Sequence, residues 1–161
     1  MESLDLRVLS DVLAWRQAGH GVTLVTVVET WGSAPRPPGA LLAVRDDGGV
    51  SGSVSGGCVE DDLIARIRAG EYAHQRSPSM VAYGVTKDEA SRFGLPCGGT
   101  LRLVQEPVQD TAWIEEVLQR TGAHQLVART LTLRDGQVTL RQAQRGEALQ
   151  FDGNSLTTFF G

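Results

Sequence analysis

The sequence has few of the features that mark several common classes of protein. It contains only 2 cysteines in 161 residues, too few for the disulfide framework of a small secreted protein. Its 15 basic residues are outnumbered by 19 acidic ones and never form a run, so nucleic-acid binding has little electrostatic support. No apolar stretch approaches the roughly 18 residues of a membrane span, and the N-terminus lacks the pattern of a secretory signal. These absences predict a cytoplasmic protein that binds neither nucleic acid nor membrane.

The pattern of apolar residues predicts one domain over residues 1–161. Helices are predicted over 3–19, 58–69, 86–94 and 110–121, the last with Asp110 as its N-cap, and strands over 22–29, 40–45, 50–54, 80–85 and 100–105. Two further strands, 126–134 and 137–142, form a hairpin across an Asp-Gly pair, and two short strands are expected around 152–153. Because strands and helices alternate early and a hairpin comes late, the predicted class is α/β of the mixed α+β kind, with a mixed β-sheet flanked by helices.

Both cysteines lie in glycine-rich turns, which makes them the first candidates for a functional site. Cys58 lies in GSVSGGCVE at 52–60, and Cys97 lies in GLPCGG at 94–99. Glycine neighbours leave no side-chain bulk around a sulfur and let backbone N–H groups approach a bound group closely. Cys58 also falls at the start of a predicted helix, where the helix dipole favours a thiolate. Three carboxylates follow at 60–62 and would oppose that effect if they faced the sulfur.

Each of these features has a second interpretation that stays open. The three glycines and two serines over 52–57 favour an anion cradle of backbone N–H groups, or equally a turn that needs positive φ. Cys97 alone is more typical of a structural residue, but with Cys58 it could share a soft ligand or exchange sulfur. Arg36, in the proline-stiffened segment SAPRPPG, is either an anion-binding guanidinium or a solvated loop charge.

Motifs of better-known sites are missing from the sequence. It has no Cys-x-x-Cys or His-x-x-x-His spacing for zinc and no Gly-x-Ser-x-Gly elbow of a hydrolase. It also lacks both glycine-rich nucleotide patterns, GxxxxGK[ST] and GxGxxG. A conventional hydrolase, a zinc site and a nucleotide-binding domain are therefore not predicted.

Three motifs taken together resemble the N-terminal domain of the XdhC/CoxI family. They are ETWGSAPRPPG at 29–39, GSVSGGCVE at 52–60, and YGV followed by GLPCGG at 83–99, in the family's order. Members are accessory proteins for maturation of xanthine dehydrogenase and carbon monoxide dehydrogenase. The resemblance implies a chaperone more than an enzyme, one that holds the pyranopterin–molybdenum cofactor as cargo. It would support sulfuration of the cofactor by a cysteine desulfurase and its insertion into an apo-molybdoenzyme of the xanthine dehydrogenase type.

Carried onto this sequence, the resemblance implies that Cys58 and Cys97 take part in the chemistry, with Cys58 as a molybdenum ligand. The implied cofactor-binding residues are Arg36, Ser53, Ser55, Gly56, Gly57, Cys58, Cys97, Gly98 and Gly99. A thiol-based sulfurtransferase or thiol–disulfide protein is the alternative, a structural interaction domain is a third hypothesis, and a homodimer is left open. Typical members continue into a dinucleotide-type Rossmann domain, which is expected to be absent from these 161 residues.

Overall fold

The computed structural model describes residues 3–31, 38–54, 58–71, 76–83 and 100–161. The helices in these ranges are α1 (Ser3–Gln17), α2 (Cys58–Arg68) and α3 (Ala112–Gly122). The strands in the same ranges are β1 (Val22–Trp31), β2 (Leu41–Arg45), β3 (Val50–Gly52), β4 (Ser79–Tyr83), β5 (Thr100–Pro107), β6 (Val127–Thr132), β7 (Val138–Gln142), β8 (Gln150–Phe151) and β9 (Ser155–Phe160). None of the described helices is long and apolar enough to cross a membrane.

The described strands form two sheets. The larger sheet has the order β3-β2-β1-β5-β4, and the smaller sheet has the order β7-β6-β9-β8. This arrangement confirms the mixed α+β class and the late hairpin, which is β6–β7. The expected mixture of strand directions is corrected, because all pairs between described strands are antiparallel. The physical reason is that α2 connects β3 to β4 at opposite edges of the larger sheet, so this crossover brings no parallel strands side by side.

The larger sheet is covered on both of its faces. On one face, α2 packs Val59 and Leu63 against the strands. On the other face lie α1, α3 and the smaller sheet, with Val8 and Val12 of α1 fully buried. β1 is the central strand, and its residues 22–28 are all buried. This two-sided burial explains the almost continuously apolar sequence of β1 and confirms its predicted central position.

Most predicted elements are present, with bounds that shift by a few residues. α1, β1 and α2 begin at the predicted residues, whereas the predicted helix over 86–94 lies outside the described residues. The predicted N-cap of α3 was one residue early: Thr111 is the cap, and it makes no side-chain cap hydrogen bond. Asp110 Oδ1 instead accepts from the backbone N–H of Ala112 at 3.0 Å. A carboxylate just ahead of the cap therefore satisfies one of the unpaired N–H groups of the first turn.

A β-bulge interrupts the pairing of β1 with β5. The register passes from Val27 opposite Leu103 directly to Glu29 opposite Arg102, so Val28 is the extra residue. Leu103 belongs to the side of the core that α2 covers. Since side chains alternate along β5, Arg102 and its cross-strand partner Glu29 lie on the other face. There Arg102 Nη1 lies 3.6 Å from Glu29 Oε2.

A buried ion pair joins the two sheets. Glu106 near the end of β5 is 4% exposed, and Arg129 of β6 is 2% exposed. Arg129 Nη1 donates to Glu106 Oε2 at 3.1 Å, and Arg129 Nη2 donates to Glu106 Oε1. The guanidinium also lies over the ring of Trp113 in α3, 3.9 Å from its centroid. Because either charge alone would be strongly unfavourable in this environment, the pair fixes β6 and α3 against β5.

We expect Glu106→Leu to lower the free energy of unfolding by about 3–5 kcal/mol, because the substitution leaves the Arg129 guanidinium buried without a counter-charge. The double variant that adds Arg129→Met should recover most of this loss, since it removes both charges. Denaturant unfolding followed by circular dichroism measures both variants.

The exposed pair Glu116–Arg120 provides the control. Its Oε2–Nη2 distance is 2.6 Å, yet the side chains are 46% and 34% exposed. Glu116→Leu should therefore cost only about 0.5 kcal/mol, as expected for a surface ion pair. Equal losses for Glu106→Leu and Glu116→Leu would contradict the structural role of the buried pair.

Candidate functional site

One end of the larger sheet collects the described residues that flank all three motifs. β1, β3 and β4 end there, and β2 and β5 begin there. Trp31 at the end of β1 lies opposite Thr100 at the start of β5. Gly52 at the end of β3 lies opposite Leu42 near the start of β2, and β4 reaches the same end at Tyr83. We call this end of the sheet the motif end.

Three connections leave or enter the sheet at the motif end. Residues 32–37 lie between β1 and β2, residues 53–57 lie between β3 and α2, and residues 84–99 lie between β4 and β5. Seven predicted site residues lie outside the described residues: Arg36, Ser55, Gly56, Gly57, Cys97, Gly98 and Gly99. The described residues include Ser53 and the backbone of Cys58. The topology thus brings the attachment points of all three motifs together, although their roles stay predictions.

Cys58 is the first residue of α2, as the sequence predicts. α2 runs away from the motif end, because its last residue, Arg68, lies beside Gly48 in the β2–β3 turn at the opposite end. The N-terminus of this 11-residue helix therefore lies at the motif end. The N–H groups of a first helical turn have no partner within the helix, and together with the positive dipole end they favour an anion or a thiolate at that position.

Ser53 holds the first of the carboxylates that follow Cys58. The Ser53 hydroxyl donates to Glu60 Oε2 at 2.8 Å. This bond connects the chain just after β3 with the first turn of α2. The Glu60 carboxylate is therefore turned toward Ser53, while the neighbouring Asp61 is exposed.

Asp62, the third carboxylate, forms a cluster with Tyr83 and Arg66. The Tyr83 hydroxyl donates to Asp62 Oδ2 at 2.6 Å, and Arg66 Nε lies 3.0 Å from the same oxygen. The cluster joins α2 to the last residue of β4. Sequence analysis missed this cluster. The spacing of Asp62 and Arg66 is a signal for an ion pair along a helix, but no local pattern points to Tyr83.

Gly52 has a structural reason to be glycine. Its φ is +86°, and a Cβ there would overlap the carbonyl oxygen of Leu41 and lie 2.8 Å from Val8 Cγ2. β2 and α1 therefore approach the Gly52 backbone too closely for a side chain. Of the two interpretations of the glycine-rich turn, the need for positive φ applies to Gly52. Residues 55–57, where the anion cradle is predicted, lie outside the described residues.

A cavity of about 310 Å³ lies at the opposite end of the sheet, between the end of β5, the start of α3 and the β6–β7 turn. Its acidic lining groups are engaged within the protein. Glu106 pairs with Arg129, Asp110 accepts an N–H of α3, and Asp135 Oδ1 accepts from the N–H of Gln137 at 3.0 Å. Across the described ranges, no three His, Cys, Asp or Glu side chains are grouped to hold a metal ion. The candidate site therefore remains the motif end.

The fold is similar to that of a solved protein. A crystal structure from Bacillus halodurans, described as a xanthine dehydrogenase, matches with a TM-score of 0.71 and 22% identity. The match covers 96% of this chain and 52% of that chain. At this level of identity the likeness shows the fold alone, so the class is a mixed α+β domain of this known architecture.

Sequence comparisons relate part of the chain to a known family. The XdhC and CoxI family model matches residues 15–84. The chain is 39% identical over 106 residues to the molybdenum cofactor insertion chaperone PaoD of Escherichia coli K12, which is 64% of this chain and 31% of that protein. It is 33% identical over 75 residues to a probable xanthine dehydrogenase component of Bacillus subtilis 168, which is 47% of this chain and 22% of that protein. These matches confirm the resemblance to the XdhC and CoxI family over part of the chain, and the chain spans less than a third of either curated relative.

Gly52→Ala should destabilise the protein more strongly than Gly153→Ala. Both glycines have positive φ, +86° and +90°, which costs about 1–2 kcal/mol for a residue with a Cβ. At Gly52 the new methyl group would also clash with Leu41 and Val8, and such overpacking adds about 1–3 kcal/mol. Denaturant midpoints of the two variants measure the difference.

Gly153 is a matched control because a Cβ there would have nothing within 4 Å. Its variant should show only the cost of the backbone conformation. Equal losses at the two positions would mean that α1 and β2 do not hold the Gly52 backbone as closely as described.

Proposed function

We propose that the motif end of the larger sheet binds the pyranopterin–molybdenum cofactor as cargo and supports its sulfuration and insertion into a xanthine dehydrogenase-type molybdoenzyme. In this proposal Cys58 acts as molybdenum ligand or sulfur-handling thiol, and Cys97 assists. One observation carries the proposal. The antiparallel topology gathers the described residues that flank all three family motifs at one end of one sheet.

The direction of α2 supports the binding of an anionic group at this end. Cys58 begins the helix, so the helix N–H groups that have no internal partner lie beside it. The pterin part of the cofactor carries a phosphate, which suits such a position. Arg36 and the backbone N–H groups of the glycines at 56–57 and 98–99 complete the proposed phosphate site, because a guanidinium binds phosphate with two parallel hydrogen bonds. Ser53 and Ser55 supply hydroxyl groups.

The arrangement of the carboxylates supports a thiolate role for Cys58. Glu60 accepts from the Ser53 hydroxyl, and Asp62 lies in an ion pair with Arg66. A carboxylate that is neutralised or turned toward its own donor opposes a nearby negative charge less than a free one does. Thiolate sulfur is a soft ligand, which is suited to binding molybdenum or to a sulfur-transfer step.

The similarity to PaoD supports a chaperone over an enzyme, because that relative is named for inserting the molybdenum cofactor. A molybdoenzyme of the xanthine dehydrogenase type is the proposed client, a cysteine desulfurase is the proposed sulfur donor, and the proposed compartment is the cytoplasm. We also propose that residues 1–161 act as one domain. The sulfurtransferase hypothesis makes a different prediction: a persulfide on Cys58, about 32 Da heavier than the thiol, should then form with desulfurase and cysteine in the absence of cofactor.

Cys58→Ser should lower the retention of cofactor by about tenfold or more, because serine oxygen replaces a soft thiolate ligand. Protein co-expressed with its neighbouring genes is passed through gel filtration. Molybdenum is then measured by elemental analysis and pterin by fluorescence after oxidation. Thermal unfolding of the same samples checks that the fold is unchanged.

Gln119→Ser is the matched control, since it places a serine on the exposed side of α3, away from the motif end. It should leave both signals at the wild-type level. Wild-type protein that retains neither molybdenum nor pterin would refute cofactor binding. Equal retention by wild type and Cys58→Ser would remove this thiol from the mechanism.

A further inference from the structure

We propose that Tyr83 is a positioning residue for the motif end and that, with Asp62 and Arg66, it forms a clamp between α2 and β4. The clamp would set the spacing between the start of α2, which carries Cys58, and the end of β4, from which the chain continues toward Cys97. This inference rests on the function proposed above, because it concerns the spacing of the two thiols assigned to the cofactor.

The clamp consists of one buried donor and two charged groups on the same helix face. Tyr83 is 2% exposed, and its hydroxyl donates to Asp62 Oδ2 at 2.6 Å. Arg66 Nε lies 3.0 Å from that oxygen, and the Arg66 guanidinium lies 5.5 Å from the centroid of the Tyr83 ring. Asp62 and Arg66 are one helical turn apart, which lets both reach the same tyrosine. A hydroxyl bound to a carboxylate makes a charge-assisted hydrogen bond, stronger than a neutral one.

The position of the clamp relates it to both cysteines. Asp62 lies about one helical turn after Cys58. A restraint on Asp62 therefore also restrains the position of the first turn of α2. Tyr83 is the last residue of β4 and immediately precedes the connection that carries Cys97. A shift of α2 along or around its axis would therefore change the distance between the two attachment points.

The apolar contacts of α2 do not supply this restraint by themselves. Val59 and Leu63 are fully buried against the sheet, but apolar attraction is non-directional and permits a helix to slide or rotate on a sheet. A short hydrogen bond to a fixed point depends on direction as well as distance. The Tyr83 hydroxyl thus adds a directional constraint from β4, beside the one that the Ser53–Glu60 bond provides from the end of β3.

Phenylalanine separates the positioning role of Tyr83 from its packing role. The Tyr83 ring belongs to the core cluster that includes Val81 and Leu101. Tyr83→Phe keeps this ring and removes only the hydroxyl donor. A change caused by the variant is therefore assigned to the loss of the hydroxyl rather than to a cavity in the core, and variants of Asp62 test the bond to Asp62 itself.

Cross-linking of the two cysteines measures the spacing directly. The sequence contains only these 2 cysteines, so a bis-maleimide links Cys58 to Cys97 within one chain without competing sites. On cofactor-free protein, Tyr83→Phe should lower the yield with a short-spacer reagent by about tenfold, the effect expected from losing a hydrogen bond to a charged group. The yield with a long-spacer reagent should change little. Retention of molybdenum and pterin should fall in parallel with the short-spacer yield.

Two controls test whether the effect is specific. Thr130→Val removes a hydroxyl that lies 2.9 Å from Thr157 Oγ1 in the smaller sheet, and it should leave the ratio of short to long cross-links at the wild-type value. Asp62→Asn keeps an acceptor for the Tyr83 hydroxyl, whereas Asp62→Ala removes it. The asparagine variant should therefore retain more of the short-spacer yield than the alanine variant.

An unchanged ratio in Tyr83→Phe would overturn the clamp, as would a wild-type protein that fails to react with the short reagent. If Tyr83→Phe does not fold, the difference between Asp62→Asn and Asp62→Ala decides in its place, and equal ratios overturn the proposal. Failure of the proposed function is a separate result. It appears as absent cofactor retention in wild type, while the cross-linking ratio is measured without any cofactor.

Discussion

The pairing of β1 with β5 at the centre of the larger sheet is the constraint on which the rest of the structure depends. Residues 22–28 of β1 are buried against both layers, so a slip of one residue would move apolar side chains to the wrong face. Because the two strands are antiparallel, the chain leaves β1 and enters β5 at the same end. A parallel pair would have placed the start of β5 at the opposite end, far from the connection that follows β1.

The two ends of this sheet are built in different ways. At the end where β5 finishes, the second sheet and α3 are held by a desolvated ion pair stacked on an indole ring. At the motif end, Ser53 and Tyr83 donate hydrogen bonds to carboxylates of α2. The first arrangement stabilises the domain. The second orients the helix whose N-terminus lies at the motif end, a position that favours a negatively charged group.

Local patterns in the sequence were sufficient to predict several helices and strands. The β-branched run after residue 22 predicts the central strand, the Asp-Gly pair at 135–136 predicts the β6–β7 hairpin, and the start of α2 falls at Cys58. Such patterns could not predict contacts between residues that are distant in the sequence. Tyr83 and Asp62 are 21 positions apart, and Glu106 and Arg129 are 23 apart, and no periodicity encodes which strand lies beside which. For the candidate site, the sequence predicts the position of Cys58 in its helix, while the roles of Arg36 and Cys97 remain predictions from the family motifs.

The bulge at Val28 allows β1 to contribute apolar side chains to the core and still place the charged Glu29 outside it. If side chains alternated between the two faces of the sheet without a bulge, the Glu29 carboxylate would share a face with Val25 and Val27. It would then enter the apolar layer beneath α2. The extra residue instead turns two consecutive side chains to the same side: Val28 packs against the smaller sheet, and Glu29 emerges beside Arg102. Deleting Val28 would leave the charge outside the core but would remove an apolar contact between the sheets. The bulge therefore marks the boundary between the apolar core and the polar surface of the domain.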